Sequence, residues 1–251
     1  MTRPSYLVVG AGPSGLGLAA ELRTVADVTV VERIPVTGGA AGWSSRAVRR
    51  LTDELVADGV RFELGQTALR WDGRRLTVAG PGSFTCHTGD HLFFAGGLRP
   101  ATLSDLGADG DRPAGVLPAT VAEHLLHAGV KLWDRVVILG DGPWSKPVAA
   151  QARRLGSEVL AVPADGRRHR IVGDDRVRAL RWYSDDEERE IPCDAVVLAA
   201  DPRPNRNIEG ALAASDSVTC HQPVAPQRFD QRVTAARDAV RQWITTQKVA
   251  T

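Results

Sequence analysis

Apolar residues fall along this chain in short runs separated by glycine turns and amphipathic stretches, and the runs come in two similar sets. The first set opens with Tyr6-Leu7-Val8-Val9, passes through Gly10-Ala11-Gly12-Pro13-Ser14-Gly15, continues in helix-forming Leu16 to Leu22, and ends in Val28-Thr29-Val30-Val31. A continuous apolar run suits a strand buried on both faces, so residues 6–32 predict strand, turn, helix, strand: a βαβ unit with parallel pairing. Arg46 to Asp58 then spaces Val48, Leu51, Leu55 and Val56 as an amphipathic helix does, and Val60-Arg61-Phe62-Glu63-Leu64 alternates like a strand. Two further strands are predicted at Arg75–Val78 and His91–Phe94, with Gly80-Pro81-Gly82 as the turn between them.

Gly107 to Pro118, rich in glycine, aspartate and proline, reads as a crossing linker outside the core, and after it the pattern restarts. Arg135 to Leu139 predicts a strand, Gly140-Asp141-Gly142 a tight turn, Pro147 to Leu155 a helix, and Glu158 to Val162 another strand, an imperfect repeat of the opening unit. Arg178 to Tyr183 and Ala195 to Ala199 predict more strands, Ser184 to Glu190 a charged hairpin turn, and Thr234 to Thr245 a terminal helix.

The first glycine turn carries recognisable chemistry. A pyrophosphate needs backbone N–H donors at a helix N-terminus and a chain without Cβ atoms in the way. Gly10 permits the turn, Gly12 the close approach and Gly15 the helix-on-strand contact, while Glu32 stands at the end of the second strand, where a ribose hydroxyl would find its acceptor. The order of strand, triplet, helix, strand and acid points to an adenine nucleotide; the alternative is a glycine-bearing turn in a sheet that binds nothing. The second turn, Gly140-Asp141-Gly142-Pro143-Trp144-Ser145, has Ser145 for the third glycine and Pro163-Ala164 for the acid, with Asp165 close by. Arg167, Arg168 and Arg170 there fit either a 2′-phosphate or a solvated basic loop, so Gly140 and Gly142 are candidates for NAD(P) or another adenine nucleotide.

Composition narrows the partners. Of 251 residues 43% are hydrophobic, and 31 basic side chains nearly cancel 30 acidic ones, so no global field selects nucleic acid or an acidic membrane. The N-terminus predicts no signal peptide and no apolar run reaches spanning length, which predicts a cytoplasmic protein with small-molecule partners. Cys86, Cys193 and Cys220 form neither Cys-x-x-Cys nor a disulfide scaffold. Cys86-His87 and Cys220-His221 lack metal-ligand spacing, so no metal is expected, and Cys193 reads as a small buried hydrophobe. His124 and His127 share one helix face in a structural role. No nucleophile elbow, triad or paired carboxylates appear, which removes support for hydrolysis and leaves no nameable catalytic residue.

Two glycine turns joined by Leu92-Phe93-Phe94-Ala95-Gly96-Gly97-Leu98-Arg99-Pro100 resemble the pyridine nucleotide-disulfide oxidoreductase superfamily. Asp111 to Val116 and Arg135 to Gly140 are similar to its small flavin subunits of proline dehydrogenase, opine oxidase and hydrogen cyanide synthase complexes, which lack a redox disulfide. The resemblance implies an α/β fold of two Rossmann-like doubly wound domains: an FAD domain from residues 1–100 and 201–251, and an inserted NAD(P)-like domain at 113–200. It implies FAD at Gly10, Gly12, Pro13, Ser14, Gly15, Glu32 and Arg33, with Gly39 and Trp43 in the loop near the flavin and Gly96 in the link. It implies hydride transfer between a small organic donor or NAD(P)H and the flavin, alone or as a subunit of a hetero-oligomeric complex; a degenerate nucleotide-binding scaffold is the third alternative. His221-Gln222 stands where such proteins carry a glycine-aspartate or glycine-asparagine pair beside FAD, and the flavin domain is trimmed between Gly59 and Asp90.

Overall fold

The structure, a computed structural model, describes residues 3–164, 168–183, 187–205, 207–222 and 228–249. Arg167, Asp165 and the first residues of the expected 184–190 turn lie outside that range. The chain divides into two compact units, one comprising Met1–Leu98, Pro204–Pro223 and Gln227–Thr251, the other chiefly Arg99–Arg203.

The first unit is built on a five-stranded parallel sheet. Its strands run Val218–Cys220, His91–Phe94, Ser5–Val9, Asp27–Glu32 and Arg61–Leu64 from one edge to the other. Successive side chains of a strand point to opposite faces, and here the two faces have different covers. Val8, Val28, Val30 and Phe93 face the helices Pro13–Leu22, Arg46–Ala57 and Phe229–Val249. Leu7, Val9, Val31, Leu92 and Phe94 face Ala68, Trp71, Leu76 and Val78 of a three-stranded antiparallel sheet, Thr67–Trp71, Arg75–Gly80 and Ser83–Thr88. Two of those three strands are absent from the sequence reading. Gly80 ends one strand of a hairpin whose second strand is Ser83–Thr88, so the turn after it does not lead to His91–Phe94.

The terminal helix starts at Phe229, earlier than its apolar spacing predicts, and lies against Pro13–Leu22. Gly17 makes this fit: a Cβ there would meet Val233 O at 2.6 Å and Ala236 Cβ at 2.8 Å. Arg241 then grips Glu21 with two guanidinium hydrogen bonds of 3.0 and 3.1 Å.

The second unit repeats the plan. A parallel sheet ordered Val116–Pro118, Ala195–Leu198, Arg135–Leu139, Glu158–Val162 has helices Ala119–His127 and Ser145–Arg154 on one face. The other face packs on a sheet of Glu188–Pro192, Val177–Tyr183, Arg168–Gly173 and Ala108–Gly110. The stretch 107–118 is therefore not a bare linker: it supplies two strands, because Ala108–Gly110 pairs with Arg168–Gly173 and Val116–Pro118 with Ala195–Leu198. Similarly, Arg168 and Arg170 do not lie in a basic loop. They occupy the exposed positions of a strand whose alternate residues His169 and Ile171 are buried. Cys193 is also in the core, where burial pushes its thiol up to about 11 and removes it as a nucleophile at neutral pH.

Candidate functional site: the two glycine turns

At the carboxyl end of Ser5–Val9 the chain turns through Gly10, whose φ of 100° favours glycine and whose missing side chain makes room for the Ala95 carbonyl. Gly15 is equally constrained, since a Cβ there would overlap the Gly10 carbonyl. Gly12 differs from both. The nearest atom to a Cβ on Gly12 is Gly39 Cα at 3.9 Å, so the space beside it is not filled by protein.

Pro13 occupies the first helical turn, where its lack of an N–H costs nothing. No side chain caps this helix, and among the described residues no acceptor receives the backbone N–H of Gly12, Ser14 or Gly15. Three open donors at the N-terminus of a ten-residue helix form an anion cradle. Ser14 is largely buried at its floor.

Glu32 holds the turn in shape. Its carboxylate accepts from Ala11 N at 2.7 Å and from Ile34 N at 2.9 Å, one bond to each oxygen. Lone pairs on both oxygens remain for hydroxyl donors. A cleft opens beside it, lined by Gly10, Glu32, Arg33 and Gly96 together with Gln66, Thr67, Ala68, Asn205, Asn207 and Ile208. It lies at the carboxyl ends of parallel strands, where open α/β sheets bind ligands. The last six residues escaped the sequence reading. Gln66–Ala68 begin a strand that was not recognised, and Asn205–Ile208 belong to the returning segment, which carries no fingerprint.

The loop after Glu32 folds back on the turn: Gly38 donates to Ala11 O at 2.8 Å, and Gly39 lies against Gly12. Trp43 in the same loop is 59% exposed and has no aromatic neighbour among the described residues. On the opposite side of the cleft, Gly96 fits beneath the Phe94 ring, where a Cβ would come 2.5 Å from Cζ. Asn205 donates to Gly96 O at 3.3 Å, and Gln222 donates from its amide to both Gly97 O and Asn205 O at 3.1 Å. The Gln222 amide is thus engaged as a clasp between the outgoing and returning segments. His221 continues the adjacent strand, its backbone N–H donating to Phe94 O at 2.9 Å.

The second turn is constructed differently. Gly140, at φ 106°, repeats Gly10, and its amide donates to Val162 O at 2.8 Å as that of Gly10 does to Val31 O. Gly142, however, is buried against the chain: its amide donates to Ala199 O at 2.7 Å, and a Cβ there would lie 2.5 Å from that same oxygen. Trp144 caps the following helix without a side-chain bond and packs into the apolar cluster behind it. Pro163 follows the second strand, and among the described residues no carboxylate is hydrogen-bonded to this turn as Glu32 is to the first. His124, His127 and the cysteine-histidine dipeptides gather into no metal-ligating group among the described residues.

Residues 8–76, the strand, turn, helix, strand and acid just described, match the family described as an NAD(P)-binding Rossmann-like domain. Among solved structures the chain is similar to L-proline dehydrogenase from P. horikoshii, at 17% identity and TM-score 0.62, covering 93% of this chain and 53% of that one. It is similar to Lactococcus lactis thioredoxin reductase at 13% identity and TM-score 0.67, covering 96% and 97%. A pyridine nucleotide-disulfide family oxidoreductase from Enterococcus faecalis V583 matches at 13% identity and TM-score 0.61, covering 93% and 67%. The chain shares the fold of these three oxidoreductase structures. The chain spans about half the length of the proline dehydrogenase chain. No curated protein matches it in sequence. Among the described residues no helix is long and apolar enough to cross a membrane.

Proposed function

We propose that the first unit binds FAD and that the chain is a flavin-dependent oxidoreductase acting on a small organic substrate. The observation that carries this reading is the open cradle of Gly12, Ser14 and Gly15 beside a carboxylate fixed by Ala11 and Ile34. These groups fit the adenosine and pyrophosphate of a dinucleotide: the amides would hold the phosphates, Glu32 a ribose hydroxyl, and the cleft from Gln66 to Ala68 the remainder of the nucleoside. FAD is preferred over NAD because of the segment from Leu92 to Pro100 and the likeness to reductase and dehydrogenase folds. Bound there, the flavin supplies hydride-accepting chemistry, while the protein supplies binding and orientation. Cys86, Cys193 and Cys220 are not joined in a disulfide. The test is equilibrium titration of the purified chain with FAD, followed by flavin absorbance; protein that retains no flavin at micromolar concentrations overturns the reading.

The sealed Gly142 favours a second reading, in which the chain relays electrons or serves structurally as a subunit of a hetero-oligomeric dehydrogenase and takes no nicotinamide itself. A monodisperse isolated chain that oxidises NAD(P)H would eliminate it.

A further inference from the structure

The two parallel sheets differ beyond their second strand. In the first unit Asp27–Glu32 is followed, after the helix Arg46–Ala57, by Arg61–Leu64, which pairs along its outer edge. In the second unit only residues 163–167 separate Val162 from Arg168, and the strand that begins there belongs to the other sheet. Glu158–Val162 is therefore an edge strand, with no ladder partner on its outer side among the described residues. Such an edge is a template for another chain, and proteins blunt it with charge, proline or a cover. Two other edge strands of the molecule are blunted in this way: Arg61–Leu64 has charges at alternate positions, and Glu188–Pro192 opens with Glu188, Arg189 and Glu190. Glu158–Val162 is charged only at its start and continues as Val159-Leu160-Ala161-Val162, with Leu160 44% exposed.

The outward groups of this strand define what fits it. Glu158 N donates to Asp134 O at 2.7 Å and Val162 O accepts from Gly140 N at 2.8 Å, so residues 158, 160 and 162 turn their backbone groups inward. Val159 and Ala161 turn theirs outward, since these directions alternate along a strand. Val159 O takes a 3.3 Å bond from Arg153 Nη2 and keeps a second lone pair. An antiparallel copy of the same strand, related by a twofold axis at Leu160, sets each Val159 against the other Ala161, and each such pair exchanges two N–H···O bonds. The two Leu160 side chains then meet at the non-hydrogen-bonded position, where side chains lie closest. The same register carries Glu158 of one copy beside Val162 of the other, on the face that packs against Ile191. Arg189 lines the groove there with Val162, Trp182 and Ile191, and its neighbours Glu188 and Glu190 both pair with Arg181, which leaves Arg189 for the incoming carboxylate. We propose that a second copy of this chain docks on Glu158–Val162 in this register, making one continuous sheet of the two second units, closed by a Glu158–Arg189 ion pair on each side of the axis.

The experiment is sedimentation equilibrium of the full chain from about 1 μM to about 1 mM, with thermal melting to verify the folding of each variant. The wild-type chain is expected to dimerise with a midpoint of roughly 100 μM, as for an interface at the small end of the range. Ala161→Pro removes an outward N–H without touching an internal ladder bond, and Glu158→Arg reverses the charge facing Arg189; each should weaken the dimer about tenfold or more. An equimolar mixture of Glu158→Arg with Arg189→Glu has both ion pairs restored in the mixed dimer and should associate as the wild type does. A wild-type chain that stays monomeric throughout overturns the proposal and leaves the edge to a different protein or to solvent. A dimer that Ala161→Pro and Glu158→Arg both form as readily as wild type overturns it too, because another surface then makes the contact. A mixture that stays monomeric overturns the pairing of Glu158 with Arg189.

Discussion

The two glycine turns follow the same path up to the first glycine and diverge at the second. Gly10 and Gly140 share a positive φ, and each donates its amide to the strand alongside. At the next glycine the first turn leaves a space that only Gly39 approaches, whereas the second is closed by the Ala199 carbonyl. The same residue type thus answers two different needs. Gly12 keeps room for something that is not protein; Gly142 keeps room for the protein's own backbone. A glycine pattern shows that a side chain is unwelcome at a position without showing what would collide with it.

The sharpest test exchanges a hydrogen for a methyl at both positions. Gly12→Ala adds a group whose nearest neighbour is at ordinary contact distance, so stability should hold while FAD affinity falls by about a hundredfold, because the methyl enters the phosphate cradle. Gly142→Ala forces a methyl to within 2.5 Å of a backbone oxygen that cannot yield cheaply. It should lower stability by about 3 kcal/mol and leave the affinity of the folded protein for FAD unaltered. Urea unfolding and FAD titration on both variants check the crossed outcome; a binding defect in the Gly142 variant alone would reverse the assignment of the turns.

This divergence also marks how far the sequence could be read. The opening βαβ unit was legible because Leu7, Val8, Val9 and Val28 to Val31 are apolar on both faces and the glycines between them are closely spaced. Strand Ser83–Thr88 was not, because four of its six residues are polar and it forms the outer strand of a sheet with little apolar alternation to show. Thr67–Trp71 was hidden by an irregularity between Ala68 and Arg70 that breaks the period of two. Arg168–Gly173 was mistaken for a basic loop because its inward residues include His169, a polar residue type buried in the core. At the site, Gly10, Gly15 and Glu32 follow from local spacing. Asn205, Asn207 and Gln66 could be found only once the topology had brought distant segments to one edge.

The sheets beneath the turns differ in chemistry as well. No strand of the second parallel sheet contains histidine, whereas the first includes His91, which is only 5% exposed. It bonds to Thr219 Oγ1 at 2.9 Å and packs among Tyr6, Phe93 and Trp243. Burial lowers its pKa from 6.5 to about 4, against a weaker opposing effect of the Asp216 backbone. The unfolded chain therefore binds a proton between pH 6.5 and 4 that the folded chain refuses. The contribution to stability is complete above pH 6.5 and lost as pH falls towards 4, by about 3 kcal/mol in total. Urea unfolding across that range should show the loss in wild type and a slope shallower by that amount in His91→Gln; identical slopes would mean that the imidazole is protonated within the fold.

The smallest expected effect is the most discriminating. Ser145 is the visible departure of the second turn from a glycine triplet, and restoring glycine there is the obvious repair. It should change nothing measurable in NADH or NADPH affinity. Ser145 N already donates to Gly142 O at 2.9 Å in the first turn of its helix, a bond that glycine would make equally well. The obstruction lies at the end of the adjacent strand Ala195–Leu198, where Ala199 takes the amide that a phosphate would need, and Pro163 supplies no carboxylate for a ribose. Fluorescence titration of Ser145→Gly with both dinucleotides checks this. A gain of tenfold or more, about 1.4 kcal/mol, would show that the third glycine limits the second turn, and the contrast between Gly12 and Gly142 would then no longer explain why the two turns differ.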